Sequence, residues 1–312
     1  MIDRINELLA GCTILPHADE LTPIQGGASG AHMLSVNGKY AVKYTNLSEL
    51  DINAQRSLTK EYEFYKLCGN KYDFIPEVVY QNSDENGLLI VFVKYSPVEN
   101  SEWTGEMQKR AMEMCARIHA IRTNGFDNLF LKHSAKQWDD NTHTLDVSLE
   151  SWSRLHVKFP DEIDVKLLNE MYKNFDEIAL SAEKIPVPET LKHGDFHPWQ
   201  MLRSKDRLLI CDWQNTDIGC GVDDLTFFIS RGETALEINR DMLIASYARY
   251  LSEHANININ ANDIRNRIAA SEFNVSFRFW ADYLQEGSLD AVMGIYNKMV
   301  KCYNQMKKCA AH

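Results

Sequence analysis

No apolar run in the chain approaches the roughly 20 residues that a helix needs to cross a bilayer. Its first residues, Met1-Ile-Asp-Arg-Ile-Asn-Glu7, are charged where a secretory leader would be apolar. These two absences lead to the expectation of a cytoplasmic protein with no membrane partner. There is no Cys-x-x-Cys pair either. The cysteines, at 12, 68, 115, 211, 220, 302 and 309, are odd in number and scattered, which fits reduced, mostly buried thiols rather than disulfides or zinc ligands. Basic charge is in short supply, with 33 Lys and Arg against 44 Asp and Glu for a net charge of −11. Such a surface disfavours nucleic acid and favours cationic ligands. Internal repeats and low-complexity tracts are absent, and no Gly-x-x-x-x-Gly-Lys-Ser/Thr appears, which argues against a P-loop NTPase.

What is present is an ordinary globular composition, 45% hydrophobic and 25% charged, in a chain of 312 residues that can bury two modest cores. The most informative stretch runs from His193 to Gln200, His-Gly-Asp-Phe-His-Pro-Trp-Gln, and is answered by Cys211-Asp-Trp-Gln214. Between them, Met201-Leu202 and Leu208-Leu-Ile-Cys211 flank the polar turn Ser204-Lys-Asp-Arg207, which predicts a β-hairpin. Such a hairpin returns Asp212 beside Gln200. One amide oxygen before it and one carboxylate after it make a plausible Mg²⁺ site, because this hard cation takes oxygen ligands and combines one or two carboxylates with substrate phosphates. Asp195 is then a loop carboxylate free to accept a hydrogen bond from an attacking hydroxyl, the arrangement of a phosphoryl-transfer site. A metal-dependent hydrolase built on His193, Asp195 and His197 is an alternative, though further ligands at suitable spacing are missing.

Upstream, Ile2, Ile5, Leu8 and Leu9 give a short amphipathic helix. A glycine-rich turn, Gly26-Gly-Ala-Ser-Gly30, then separates two apolar runs; glycine lets backbone N–H groups approach phosphates closely. Lys39-Tyr-Ala-Val-Lys43 alternates like a strand. A helical stretch follows, Ser57 to Leu67, with Leu58, Tyr62, Tyr65 and Phe64 on its inner side and Glu61 or Glu63 as partners for Lys43. Two further strands, Ile75 to Tyr80 and Gly87 to Tyr95, end at Ser96-Pro97, after which Met107, Ala111, Met114 and Ile118 set a helical core stripe. Residues 133 to 185 read as polar and helical, with Trp138, Asp139, Asp140, Glu150 and Trp152. Beyond Leu225 the stripes Leu243, Tyr247, Tyr250, Leu251 and Val292, Ile295, Met299, Cys302, Met306 predict two more helices. Between them Phe277-Arg-Phe-Trp-Ala-Asp-Tyr283 joins aromatics to an acid, and Trp280 and Asp282 are candidate contacts for an ammonium-bearing ligand.

The segment 193–200 with 211–214 resembles the aminoglycoside phosphotransferase and choline kinase-like family, small-molecule kinases with a protein-kinase-like fold. Their loop reads roughly His-Gly-Asp-Leu-His-Pro-Gly-Asn, followed by Ile-Asp-Phe/Trp-Glu/Gln. Gly219-Cys-Gly-Val-Asp-Asp-Leu225 resembles the family's Gly-x-x-x-x-Asp-Leu, and Ala116-Arg-Ile-His119 a segment whose histidine is structural. The resemblance implies Asp195 as catalytic aspartate, Asp212 as main metal ligand and Gln200, in place of asparagine, as second ligand. It also implies Lys43 as the phosphate-pairing lysine; the family's Glu-x-x-Phe-Tyr spacing selects Glu61 as its partner. Gly26, Gly27, Ser29 and Gly30 would cover the phosphates, and Phe92, Val93, Lys94 and Tyr95 would form the hinge that binds the base. The implied fold is α+β and two-lobed: an N-terminal antiparallel sheet lobe with one helix over residues 1–97, a hinge near 94–98, and a larger, mostly helical catalytic and acceptor-binding lobe over 98–312. The implied reaction moves the γ-phosphoryl group of ATP, with Mg²⁺, to a hydroxyl of a small molecule. The acidic chain favours a cationic acceptor, either an aminoglycoside-like antibiotic, which would make the chain a resistance enzyme, or an amino alcohol. Peptide acceptors are disfavoured by the lack of an Asp-Phe-Gly to Ala-Pro-Glu segment. The change to Gln200 keeps open a nucleotide-binding pseudoenzyme that regulates a partner.

Overall fold

The computed structural model describes residues 1–15, 21–24, 30–126, 129–130 and 144–310. Two compact units emerge, one comprising 1–135 with 190–218 and the other 136–189 with 219–312. The segments singled out around Asp195 and Asp212 thus belong to the same unit as the N-terminal strands. No described helix is long and apolar enough to cross a membrane.

In the first unit a five-stranded antiparallel sheet has the order β1-β2-β3-β5-β4, from β1 (Leu21–Pro23), β2 (His32–Val36), β3 (Tyr40–Asn46), β4 (Val78–Ser83) and β5 (Gly87–Val93). Central strands covered on both faces read as continuous apolar runs; β5, Gly-Leu-Leu-Ile-Val-Phe-Val, is buried at all but its last residue. One face is closed by helix α1 (Ile2–Leu9), whose Ile5, Leu8 and Leu9 pack with Leu34, Val36, Val42, Tyr44, Leu89 and Val91. Helix α2 (Ile52–Cys68) begins where Asp51 accepts hydrogen bonds from the amides of Asn53 and Ala54. That start is five residues earlier than the apolar pattern from Ser57 predicts, because the first turn carries little apolar signal and is fixed by its cap. Likewise β4 starts at Val78 rather than Ile75 and runs on through Asn82 and Ser83, past the Tyr80 at which the sequence pattern ends. Cross-strand pairing with Leu88 and Leu89 holds these two polar residues in the ladder.

The same unit contains α3 (Gly105–His119), whose Ala111, Met114 and Ile118 are buried as the stripe predicts. His119 closes it as a buried residue beside the Cys115 thiol, in keeping with a packing role. The short strand β6 (Ser96–Pro97) pairs with the hairpin β8 (Met201–Ser204) and β9 (Arg207–Ile210), and β7 (Glu189–Lys192) pairs with β10 (Asp217–Cys220). The predicted hairpin is therefore present, with Met201 opposite Ile210.

The second unit is helical: α4 (Leu145–Lys158), α5 (Val165–Lys173), α6 (Phe175–Glu183), α7 (Val222–Gly232), α8 (Arg240–Ala255), α9 (Ala261–Val275) and α10 (Leu289–Ala310). Its core joins Trp152, Leu155, Leu168, Met171 and Phe175 to Phe273, Phe277, Val292, Met299, Cys302 and Met306. Trp152 is fully buried and its indole N–H donates to the Phe277 carbonyl, so it is a core anchor of this unit. Buried Glu272 binds Arg240, Lys298 and the Ser230 hydroxyl. Trp138, Asp139 and Asp140 lie outside the described residues.

Candidate active site

Four side chains on one face of α2 organise the site. Residues three and four apart share a helix face, and Ser57, Glu61, Phe64 and Tyr65 follow that spacing. Each engages the segment that follows the hairpin. The Ser57 hydroxyl donates to the Gln214 carbonyl at 3.0 Å. The backbone amides of Trp213 and Asp212 favour the charged forms of Glu61 and Tyr65 respectively, pulling against the upward push of burial. Phe64 stacks on the fully buried Trp213 with ring centres 4.3 Å apart. The helix therefore holds the segment 212–214 by a hydrogen bond from Ser57 and a ring stack from Phe64, with Glu61 and Tyr65 facing its amides. The sequence reading assigned Phe64 and Tyr65 only to a core stripe and gave Ser57 no role; the signal was their common face with Glu61.

Lys43 points from the middle of β3 into this array rather than to solvent. It sits between Met33 and Ile90 on the neighbouring strands and is 8% exposed. Its ammonium contacts Glu61 Oε2 at 2.6 Å and Asp212 Oδ1 at 3.3 Å. Burial opposes charge on Lys43, but the two carboxylates outweigh it and hold the ammonium well above its ordinary range. Glu61, 1% exposed, is pushed up by burial, and Lys43 pulls against that shift. Of the two glutamates that the sequence offered, Glu61 is the one that meets Lys43.

The residues of the 193–200 loop converge on the same carboxylates. Gln200 Nε2 donates to Asp195 Oδ2 at 3.2 Å and to Asp212 Oδ2 at 2.9 Å. His197 Nε2 lies 3.5 Å from that same Asp195 oxygen. Burial raises the Asp195 carboxyl, but these donors and the neighbouring histidines outweigh it and hold the group below the usual carboxylate range. With both donors on Oδ2, Oδ1 faces no protein donor among the described residues. His193 is fully buried; its Nε2 meets the Cys211 carbonyl at 3.0 Å and its Nδ1 accepts from the Asp195 amide at 3.3 Å. Histidine here braces the loop.

Two residues sit in left-handed backbone, which only particular side chains tolerate. Gly194 has φ +81°, and a Cβ on it would collide with the Asn215 carbonyl, so the two site segments touch there. Asp212 has φ 68°, a conformation that Asp and Asn adopt more readily than other residues. Its carboxylate is thereby turned toward Lys43 and Gln200. Cys211, next to it, is half-buried, and desolvation pushes its thiol up to about 12, so it stays a neutral thiol.

A divalent cation fits the donor set in part. Asp212 supplies a hard carboxylate oxygen, Asp195 a second lies close by, and Gln200 would contribute Oε1 only after its amide turns over, since its nitrogen now faces both carboxylates. Among the described residues no three His, Cys, Asp or Glu side chains converge as a metal cluster, so the hydrolase reading built on His193, Asp195 and His197 lacks its ligands. At the end of β5, the Val93 amide donates to the Glu77 carbonyl and the Lys94 amide to the Lys39 carbonyl, while the Lys94 ammonium reaches Ser35. Phe92 is buried edge-on against Tyr65. Gly30 is described, with φ +79°; Gly26, Gly27 and Ser29 lie outside the described residues. Trp280 and Asp282 belong to the second unit. Trp280 ends a five-residue π-helical stretch, Ser276–Trp280, and meets Tyr283 edge-on. Asp282 accepts from the Ser151 hydroxyl and pairs with Arg154 at 3.4 Å.

No curated protein sequence is detectably similar to the chain. Several solved structures share the fold. An ADP-bound aminoglycoside phosphotransferase, APH(2'')-Ib, aligns with TM-score 0.57 at 16% identity over 98% of this chain and 99% of its own. An ethanolamine kinase from Plasmodium vivax aligns with TM-score 0.55 at 15% identity over 91% and 82%. A choline kinase from Cryptosporidium parvum Iowa II aligns with TM-score 0.57 at 12% identity over 98% and 94%. The fold is accordingly α+β and protein-kinase-like, with an antiparallel-sheet N-terminal region and a helical C-terminal region. The model of the phosphotransferase enzyme family matches residues 20–255, which include Lys43, Glu61, Asp195, Gln200 and Asp212, and the chain belongs to that family: it is a small-molecule phosphotransferase acting on a hydroxyl group.

Proposed function

We propose that the protein transfers the γ-phosphoryl group of ATP to a hydroxyl of a small cationic molecule, an aminoglycoside-like antibiotic or an amino alcohol. The observation that carries this reading is the Asp195 carboxylate, ionised and loaded with donors on Oδ2 only, one side chain away from the array of Asp212, Lys43 and Glu61.

In this reading Oδ1 of Asp195 accepts the proton of the acceptor hydroxyl as its oxygen bonds to the γ-phosphorus and the bond to the β-phosphate oxygen breaks. Phosphoryl transfer has a loose transition state with charge spread over the phosphoryl oxygens, so positioning and electrostatics supply most of the catalysis. Lys43, already oriented by Glu61, exchanges its contact with Asp212 for the α and β phosphates. Asp212 and a reoriented Gln200 would hold Mg²⁺, which when bound neutralises charge on the phosphates. Gly26, Gly27, Ser29 and Gly30 would cover them. The sheet and its flanks consume the amides of Val93 and Lys94, so within the Phe92 to Tyr95 hinge we assign the base-binding donor to Tyr95. We further propose residues 1–97 as the nucleotide lobe, 98–312 as the catalytic and acceptor-binding lobe, and Trp280 and Asp282 as acceptor contacts. The partial pairing of Asp282 with Arg154 lowers its pull on an ammonium.

ADP release from the purified protein with Mg-ATP and a panel of aminoglycosides, amino alcohols, sugars and hydroxy amino acids tests the proposal. Acceptor-dependent turnover that is lost in Asp195→Ala supports it. Nucleotide binding with no turnover on any acceptor would favour the regulatory pseudoenzyme instead.

A further inference from the structure

We propose that Trp199 is an acceptor-specificity residue, an exposed indole fixed beside the catalytic base as a platform for an ammonium group. The inference deepens the reading above and rests on it for the delivery of an acceptor to Asp195.

Trp199 stands in the middle of a three-residue 3₁₀ helix, Pro198–Gln200. With three residues per turn, the side chains of such a helix leave in three different directions. Pro198 points into the core and Gln200 to the carboxylates of Asp195 and Asp212. The remaining direction is outward, and Trp199 is 43% exposed, the most exposed tryptophan among the described residues. Its two locked neighbours fix the direction in which the side chain leaves the loop. The ring is close to the chemistry: its centre is 5.6 Å from that of His197, whose Nε2 is 3.5 Å from Asp195 Oδ2. One imidazole therefore separates the indole from the base. Core packing does not account for the ring, since the buried aromatics of this region are Phe196 and Trp213. The family pattern given above has glycine at this position, so nothing in the loop's turn requires a large side chain.

Charge selects among the molecules an indole face can hold. Asp195, Asp212 and Glu61 set three carboxylates against the single ammonium of Lys43 in this cluster, and the chain as a whole carries −11. Among aromatic side chains tryptophan binds cations best, at up to about 6 Å from the ring centre. An ammonium stacked on Trp199 would hold its own molecule's hydroxyl near Oδ1 of Asp195.

The test uses the full chain as its Mg-ADP complex, with the indole N–H resonance of Trp199 identified by its loss in Trp199→Phe. Gentamicin, streptomycin, choline and ethanolamine are titrated, with 3,3-dimethylbutan-1-ol as the neutral isostere of choline. A saturable shift with at least one cation and none with the neutral isostere is expected. No shift with any of the four, or an equal shift with the neutral alcohol, overturns the assignment. For an acceptor that is turned over, Trp199→Ala should raise its KM roughly 5- to 30-fold, with kcat within about threefold, and Trp199→Phe should recover most of the loss. An unchanged acceptor KM in Trp199→Ala also overturns it. A shifted resonance without turnover on any acceptor supports the platform and counts against the phosphotransfer reading alone.

Discussion

Asp195 and Asp212 are both carboxylates within reach of the Gln200 amide, yet their surroundings differ, and so does the work we propose for them. Asp195 meets Gln200 and His197 on one oxygen, whereas Asp212 is tied to Lys43 and to Gln200. Replacing Asp195 with Asn keeps the shape and removes the proton acceptor. A drop in kcat of roughly 10²- to 10⁴-fold is expected, with the Kd for Mg-ADP nearly unchanged. Asp212→Ala should instead weaken Mg-ADP binding by roughly tenfold or more while leaving Mg-free ADP binding little affected. Calorimetric titration of both variants with and without Mg²⁺ checks this division; equal loss of nucleotide affinity in the two would contradict it. The residue scale is also where the sequence left most undecided. The helical pattern offered Glu61 and Glu63 together; the family spacing pointed to Glu61, and the helix phase turns that one inward to Lys43.

At the scale of elements, the link between α2 and the segment 212–214 carries the geometry of the site. Phe64 fills the space against Trp213, so Phe64→Ala should cost about 3 to 5 kcal/mol of stability. It should also lower kcat, because Glu61 and Tyr65 lose their register on the segment that they bind. Thermal unfolding and turnover, measured together, check the joint effect; a variant that loses stability with kcat intact would show that the stack is packing only. Gly194 is the second element-level device. Its positive φ and its contact with the Asn215 carbonyl leave no room for a Cβ, so Gly194→Ala should push the two site segments apart. Loss of both stability and activity is expected, whereas the same change at Gly38, where a Cβ meets nothing, should cost only its backbone strain of about 1 kcal/mol and leave turnover intact.

At the scale of the molecule, charge acts in two ways. In the helical unit, burial raises Glu272, but Arg240 and Lys298 outweigh it and hold the carboxyl below its ordinary range. A depressed carboxylate contributes stability that is fully present above the unfolded value of about 4.3 and is lost as pH falls through the lower native value. Glu272→Gln should therefore destabilise the protein by on the order of 2 to 4 kcal/mol at pH 7 and flatten the fall in Tm between about pH 5 and 3. An unchanged Tm profile would mean that the two cations are satisfied by water. The net charge of −11 acts at longer range. If the acceptor is cationic, its KM should rise with salt between about 20 and 300 mM as screening shortens the reach of the field, while the KM of a neutral acceptor stays flat.

The sequence by itself determined the class of protein and offered its candidate working groups. The loop at 193–200 and the segment at 211–214 are continuous stretches whose chemistry is local, so their hairpin and their oxygen donors could be read directly. Central strands and helix stripes were legible for the same reason, since burial leaves a period in the chain. Only the tertiary structure decided how those groups are shared: that Lys43 spans Glu61 and Asp212, that one face of α2 clamps 212–214, and that Gln200 turns its nitrogen to two carboxylates. It also decided that both donors to Asp195 fall on a single oxygen. Each of these depends on side chains brought together from distant positions, and the pairing energies that select among them exist only once water is excluded and the partners meet.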